Sequence, residues 1–287
     1  MDELGLIHPG PRPADSARRE VHPHRGLPYW YCEDSVSRHA FIVEKILPSN
    51  RVHLIAGISS AGKSRFAIPA FIMWDAGLPV LGLKSTPVRW CVVCGDRPES
   101  DTQDMLQTIG FRPSDVDIIP AFGKRQRPMY EVMSEIEKRN AQFVFWEGFD
   151  LLVRNPNNPH EVKEMLSSIT AYCEDGLTVL GTVGVAKLKP HETYQNPRQL
   201  VAGSSIWERA TSTNLVIVPT HPNDIENGER LMYVCLKNSP SFAVVGDFDG
   251  SGILAFRDWE CRLQGDALKA MQTRMRSTST KNGHGHP

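Results

Sequence analysis

Nowhere does the 287-residue chain hold an apolar run long enough to span a bilayer. Its Met1 end is polar and proline-rich, unlike a secretion signal. An intracellular, cytoplasmic protein is expected. An excess of charge of one sign is also missing: 32 Lys and Arg stand against 33 Asp and Glu, a formal net charge of -1. That balance excludes a global field drawing in nucleic acid or an anionic membrane, so any nucleic-acid surface has to be a local patch. Cysteines in zinc-binding groups are lacking too. Cys32, Cys91, Cys94, Cys173, Cys235 and Cys261 are scattered, as suits reduced thiols. Cys91 and Cys94 form one CxxC, but within RWCVVCG, which reads as a strand whose residues three apart face opposite sides. With no second pair nearby, no zinc site is expected.

What is present is an ordinary globular composition, 40% hydrophobic and 23% charged, and an alternating pattern. Apolar runs of strand length occur at RVHLIAG, RWCVVCG, DVDIIPA, QFVFWEG, LTVLGTVG and TNLVIVPT. Helix-like segments fall between most of them, at Lys63 to Ala76, Ser100 to Gly110, Pro128 to Arg139, His160 to Glu174 and Ser204 to Ala210. Strands apolar on both faces and separated by helices predict an α/β fold, a mainly parallel sheet covered on both sides. After Pro219 the turn signals NGE, NSP and DFDGSG predict antiparallel strands at one edge. Residues 1–40 read as a flexible arm, 41–272 as the folded domain and 273–287 as a disordered tail.

The segment RVHLIAGISSAGKSRFAI contains G-x-x-x-x-G-K-[ST] in full, between a strand and a helix. Gly57 and Gly62 allow the backbone to curl so that the N–H groups of Ile58, Ser59, Ser60 and Ala61 turn towards phosphates. The helix opening at Lys63, with Ser64 and Arg65, aims its positive dipole end at the same anion. Lys63 supplies a point charge near the β- and γ-phosphates, and the Ser64 hydroxyl is placed to ligate Mg²⁺. An ATP site with Mg²⁺ is therefore expected. Hydrolysis also needs a carboxylate on the metal side and a base to orient the attacking water. Glu147, directly after the run QFVFW, is the metal-side candidate, with Asp150 as the fallback. Asp96, after RWCVVCG, is the candidate base, with Glu99 as a weaker competitor; Asp96 also reads as a helix cap.

The order of these landmarks resembles the RecA-like P-loop ATPases, and within them the hexameric replicative helicases of the plasmid RepA type. The likeness spans about residues 45–245 and rests on the phosphate loop, the strand ending in Asp96 and Pro98, the strand with Glu147, the NPNNPHEV loop, Lys187 after LTVLGTVG, and a G-S-S segment before the last core strand. It implies that Asp96 takes the place of that family's catalytic Glu, and Glu147 the place of its metal-side Asp. Relatives carry His where this chain has Val183 and Gly184, which bears on coupling and turnover. The resemblance further implies that AKLKPHETYQNPRQLVAGSS is a loop facing a central channel, with Lys187, Lys189 and Arg198 binding single-stranded DNA beside His191 and Tyr194. Arg209, or Arg230 in the hairpin beyond, is the candidate arginine finger, as surface arginines able to reach a neighbouring subunit.

Three functions follow from these residues. One is a ring-forming motor, expected to be hexameric, on single-stranded DNA in plasmid, phage or mobile-element replication or recombination, with other replication proteins as partners. Another is a nucleotide-gated scaffold or loader that hydrolyses slowly, suggested by the exchanged acids and the missing His. A third is a small-molecule kinase, disfavoured because no arginine-rich lid follows Glu147.

Overall fold

The central strands of the sheet are buried along both faces, which sets the architecture. The computed structural model describes residues 40–122, 127–185, 201, 205–220, 228–237, 241–258, 261–264 and 266–270. The expected arm (apart from residue 40) and tail lie outside these residues. Described strands are β1 (Phe41–Val43), β2 (Leu47–Pro48), β3 (Val52–Gly57), β4 (Trp90–Cys94), β5 (Ile118–Pro120), β6 (Phe143–Glu147), β7 (Thr178–Val183), β8 (Thr213–Pro219), β9 (Arg230–Leu236), β10 (Phe242–Phe248) and β11 (Leu254–Phe256). The α-helices are α1 (Lys63–Asp75), α2 (Glu99–Thr108), α3 (Met129–Lys138), α4 (Pro159–Glu174) and α5 (Ile206–Ala210).

β3 to β11 form one nine-stranded sheet in the order β11-β10-β9-β8-β3-β7-β6-β4-β5. From β8 to β5 all neighbours are parallel. β9, β10 and β11 add an antiparallel edge, as the turn signals after Pro219 suggest. β1 and β2 pair separately.

The two faces carry different core clusters. Val52, Leu54, Cys91, Val93, Val144 and Trp146 point to one side, where α3, α4 and α5 bring Val132, Ile136, Leu166, Ile169 and Trp207. Ile55, Val92, Cys94, Phe143 and Phe145 point to the other, against Phe66, Ile68, Phe71 and Trp74 of α1 and Leu106 of α2. Cys91 and Cys94 thus separate to opposite faces, as a spacing of three in a strand requires. Burial pushes both thiols up to about 12. The α1 sequence is apolar on most of its circumference, and its Phe71 ring meets Phe143 at 4.9 Å, Phe145 at 5.3 Å and Trp90 at 5.5 Å.

Parallel register positions the site. Cys94 pairs with Glu147, Trp146 with Gly181, and Ala56 with Val183. The loops leaving β3, β4, β6 and β7 therefore emerge along one edge of the sheet, the edge where open α/β sheets bind ligands.

Candidate nucleotide-binding site

Gly62 makes the turn from loop to helix possible. It caps α1 in the left-handed region, at φ 93°, where residues with a Cβ are strained. A Cβ there would also stand 2.7 Å from Leu254 Cδ2 and 2.9 Å from Phe248 Cζ. The β10–β11 hairpin thus packs directly on the phosphate loop, and the Arg65 guanidinium lies 5.9 Å from the centre of the Phe248 ring. Within the loop, Ala61 N–H donates to the Ile58 carbonyl at 3.1 Å, while Ser59 and Ser60 are exposed. Lys63 Nζ folds back and donates to the carbonyls of Gly57 at 2.9 Å and Ile58 at 3.1 Å. Burial draws its amine below the ordinary lysine range, opposed by Asp96, Asp150 and Glu147.

The loop opens on a cleft of about 600 Å³, lined by Ser59, Ser60, Gly62, Lys63, Ser64, Arg65, Asp96 and Arg97 among others. That volume lies in the range of small-molecule sites, and its lining is polar and mostly contributed by the loop. Asp96 borders it with a side chain 46% exposed. Partial burial and the Glu147 carboxylate raise its pKa above the usual carboxylate value. It does not cap α2, whose cap position is Pro98.

Glu147 does not line the cleft but meets Ser64, which does. Its side chain is 1% exposed, and Ser64 Oγ donates to its Oε1. Thr102 Oγ1, 3.1 Å from Cys94 Sγ, lies 3.4 Å from Glu147 Oε2. Gly148, at φ 67°, lets the chain turn here; a Cβ would stand 2.7 Å from Asp96 Cβ, so the loops after β4 and β6 pass in contact. Asp150, the fallback acid, is engaged elsewhere, accepting from Gly184 N–H at 3.0 Å at the end of β7. Glu147 is therefore the acid that meets the phosphate loop. Glu99 accepts instead from Gln103 Nε2 within α2.

One residue of this cluster, Arg97, was not among the sequence candidates. Its Nε donates to Glu147 Oε2 at 3.1 Å, and its Nη2 donates to Glu147 Oε1 and, at 2.8 Å, to Ser64 Oγ. The available signal was an arginine directly following the candidate base. Hydroxyl and carboxylate oxygens are the ligand class Mg²⁺ prefers, so Ser64 and Glu147 suit it chemically. In this conformation the Arg97 guanidinium holds both groups. Among the described residues no group of three or more His, Cys, Asp or Glu could hold a metal ion, so a cation here would rely on a hydroxyl, one carboxylate and the ligand's own oxygens.

The remaining candidates lie elsewhere. Arg209 is exposed on α5; Ser212 N–H, close behind it, donates to Val52 at the start of β3. Since the phosphate loop leaves the other end of β3, Arg209 borders the opposite edge of the sheet and is not part of its own chain's site. The expectation of a surface Arg230 is corrected: this residue is 0% exposed at the start of β9. Its guanidinium lies 5.0 Å from the centre of the Phe248 ring and donates to the Gly228 carbonyl at 2.6 Å. An arginine enclosed in this way cannot reach a neighbouring subunit. Lys187, Lys189 and Arg198, with His191 and Tyr194, lie outside the described residues; Val185 and Val201 on either side of that segment form an antiparallel bridge. Among the described residues no helix is long and apolar enough to cross a membrane.

No protein-family model matches the chain, and no curated protein matches it in sequence. Solved structures do match. One is a KaiC-like protein from the hyperthermophilic archaeon Pyrococcus horikoshii, with 14% identity and a TM-score of 0.54, covering 76% of this chain and 98% of the other. At that identity the likeness concerns the fold alone. Together with the mainly parallel sheet and its antiparallel edge, it shows that the chain has a RecA-like α/β core.

Proposed function

We propose that this chain is a RecA-like ATPase that assembles into a ring, expected to be hexameric, and acts on single-stranded DNA as a helicase-like motor in replication or recombination of a plasmid, phage or other mobile element. The observation that carries the nucleotide part is the meeting of Ser64 with the buried Glu147 beneath a complete phosphate loop. The DNA and ring parts are supported by the sequence resemblance and by the basic residues Lys187, Lys189 and Arg198.

Each residue has a distinct task in this reading. Backbone N–H groups from Ile58 to Ser64, apart from that of Ala61, which the Ile58 carbonyl holds, receive the phosphates, assisted by the dipole of α1. Lys63 exchanges the Gly57 and Ile58 carbonyls for phosphate oxygens, a stronger charge-assisted interaction. Asp96, with its raised pKa and its exposure to the cleft, orients the attacking water and accepts its proton. When bound, Mg²⁺ would be held by Ser64 and Glu147 and would neutralise the charge developing on the phosphates. Arg209 acts in trans, because its edge of the sheet is remote from its own phosphate loop.

ATP turnover with and without single-stranded DNA tests the proposal, with Lys63→Ala as control. Turnover that rises with DNA and vanishes in the variant is the expected result. A monomer whose turnover ignores DNA would exclude the motor. A second reading, a nucleotide-gated scaffold with slow hydrolysis, is favoured by the Arg97 guanidinium standing between Ser64 and Glu147, and by an Asp where the family has its catalytic Glu. Binding of ATP without turnover under either condition would select it.

A further inference from the structure

Glu147 is a buried carboxylate, and a buried charge needs a partner at all times. Arg97 provides one with unusual completeness. Two of its nitrogens grip the two oxygens of Glu147, and one of them also reaches the Ser64 hydroxyl at 2.8 Å. This fork geometry is one that guanidinium offers and ammonium does not. Its backbone is constrained as well, because a residue preceding proline is steered away from the helical region, and Pro98 directly follows. The side chain lines the cleft with 28% exposure, beside the loop that receives the phosphates.

A divalent cation held by Ser64 and Glu147 would need the same oxygens that Arg97 now holds. A guanidinium seated on those oxygens repels an arriving metal ion, so the two compete for them. We propose that Arg97 is the resident cation of this site: it neutralises Glu147, competes with Mg²⁺ for Ser64 and Glu147, and allows phosphates to be held without a divalent ion. The inference rests on reading the cleft as a nucleotide site, and it goes further by specifying how that site depends on metal.

The test is equilibrium titration of the full chain with a fluorescent ATP analogue, in Mg²⁺ and in EDTA, for wild type and Arg97→Gln. Removing Mg²⁺ is expected to weaken wild-type binding by less than about threefold, and binding to Arg97→Gln by about tenfold or more. A metal dependence in the wild type equal to or greater than that of the variant overturns the proposal. If Arg97→Gln does not fold, Arg97→Lys replaces it, keeping the charge without the fork; a loss of about tenfold or more in wild type alone also overturns the proposal. Absence of wild-type binding in both conditions would remove the nucleotide reading itself, a failure distinct from metal-dependent binding.

Discussion

The two halves of the candidate site differ in how they are built. The phosphate-loop half comes from consecutive residues, Gly57 to Ser64, whose order alone specifies a strand, a curled backbone and a helix start. The acidic half is assembled from distant ones: Arg97 meets Ser64 across 33 positions and Glu147 across 50, and Ser64 meets Glu147 across 83. Local geometry can be encoded in a motif. A constellation across three strand ends depends on sheet order and register, and a side chain such as Arg97 can enter it without any motif.

The largest expected effect would break the acidic half. Arg97→Ala leaves Glu147 buried without its cation and is expected to cost about 3–5 kcal/mol of stability in chemical denaturation. Glu147→Gln should cost less, because Arg97 is partly exposed and can turn to water. Equal costs would mean that the ion pair does not govern this half.

A second test separates the sheet from the site. His53, in β3, is buried with its Nε2 2.8 Å from the Pro48 carbonyl, which fixes Nε2 as the protonated nitrogen; its buried Nδ1 has no hydrogen-bond partner among the described residues. Burial lowers its pKa from 6.5 to about 4. Between those values the unfolded chain binds a proton that the folded chain refuses. This contribution is therefore complete above pH 6.5 and is lost as pH falls to about 4. The loss amounts to about 3 kcal/mol, and a His53→Gln variant should show a correspondingly shallower decline over that window. Parallel pH profiles for the two proteins would contradict the assignment.

The smallest effect probes the phosphate-loop half. Gly62→Ala meets both a left-handed backbone and the Phe248 and Leu254 side chains, and is expected to cost about 2 kcal/mol. Gly110→Ala, also at positive φ but with open space around it, should cost about 1 kcal/mol. Similar thermal shifts for the two would show that the β10–β11 hairpin does not support the loop.

Much of this was legible in the sequence because it follows from periodicity. Apolar runs such as WCVVC and FVFW announced strands buried on both faces, and the turn signals after Pro219 announced the antiparallel edge. Glu147 was identifiable as the acid ending a strand, though its contact with Ser64 needed the three-dimensional register. Arg97 and Arg230 were not legible. Arginine has the same polar character whether it lies on a surface or is enclosed, and its placement depends on partners distant in sequence: Glu147 for one, Phe248 for the other.

The most direct test of the central claim is calorimetric titration of wild type and Lys63→Ala with ATP. Lys63 contacts only loop carbonyls among its hydrogen-bond partners, so its removal should leave thermal stability nearly unchanged. Saturable binding to wild type is expected, with a loss of about 100-fold in the variant. Undiminished affinity in Lys63→Ala, or no binding to a folded wild type, would contradict it.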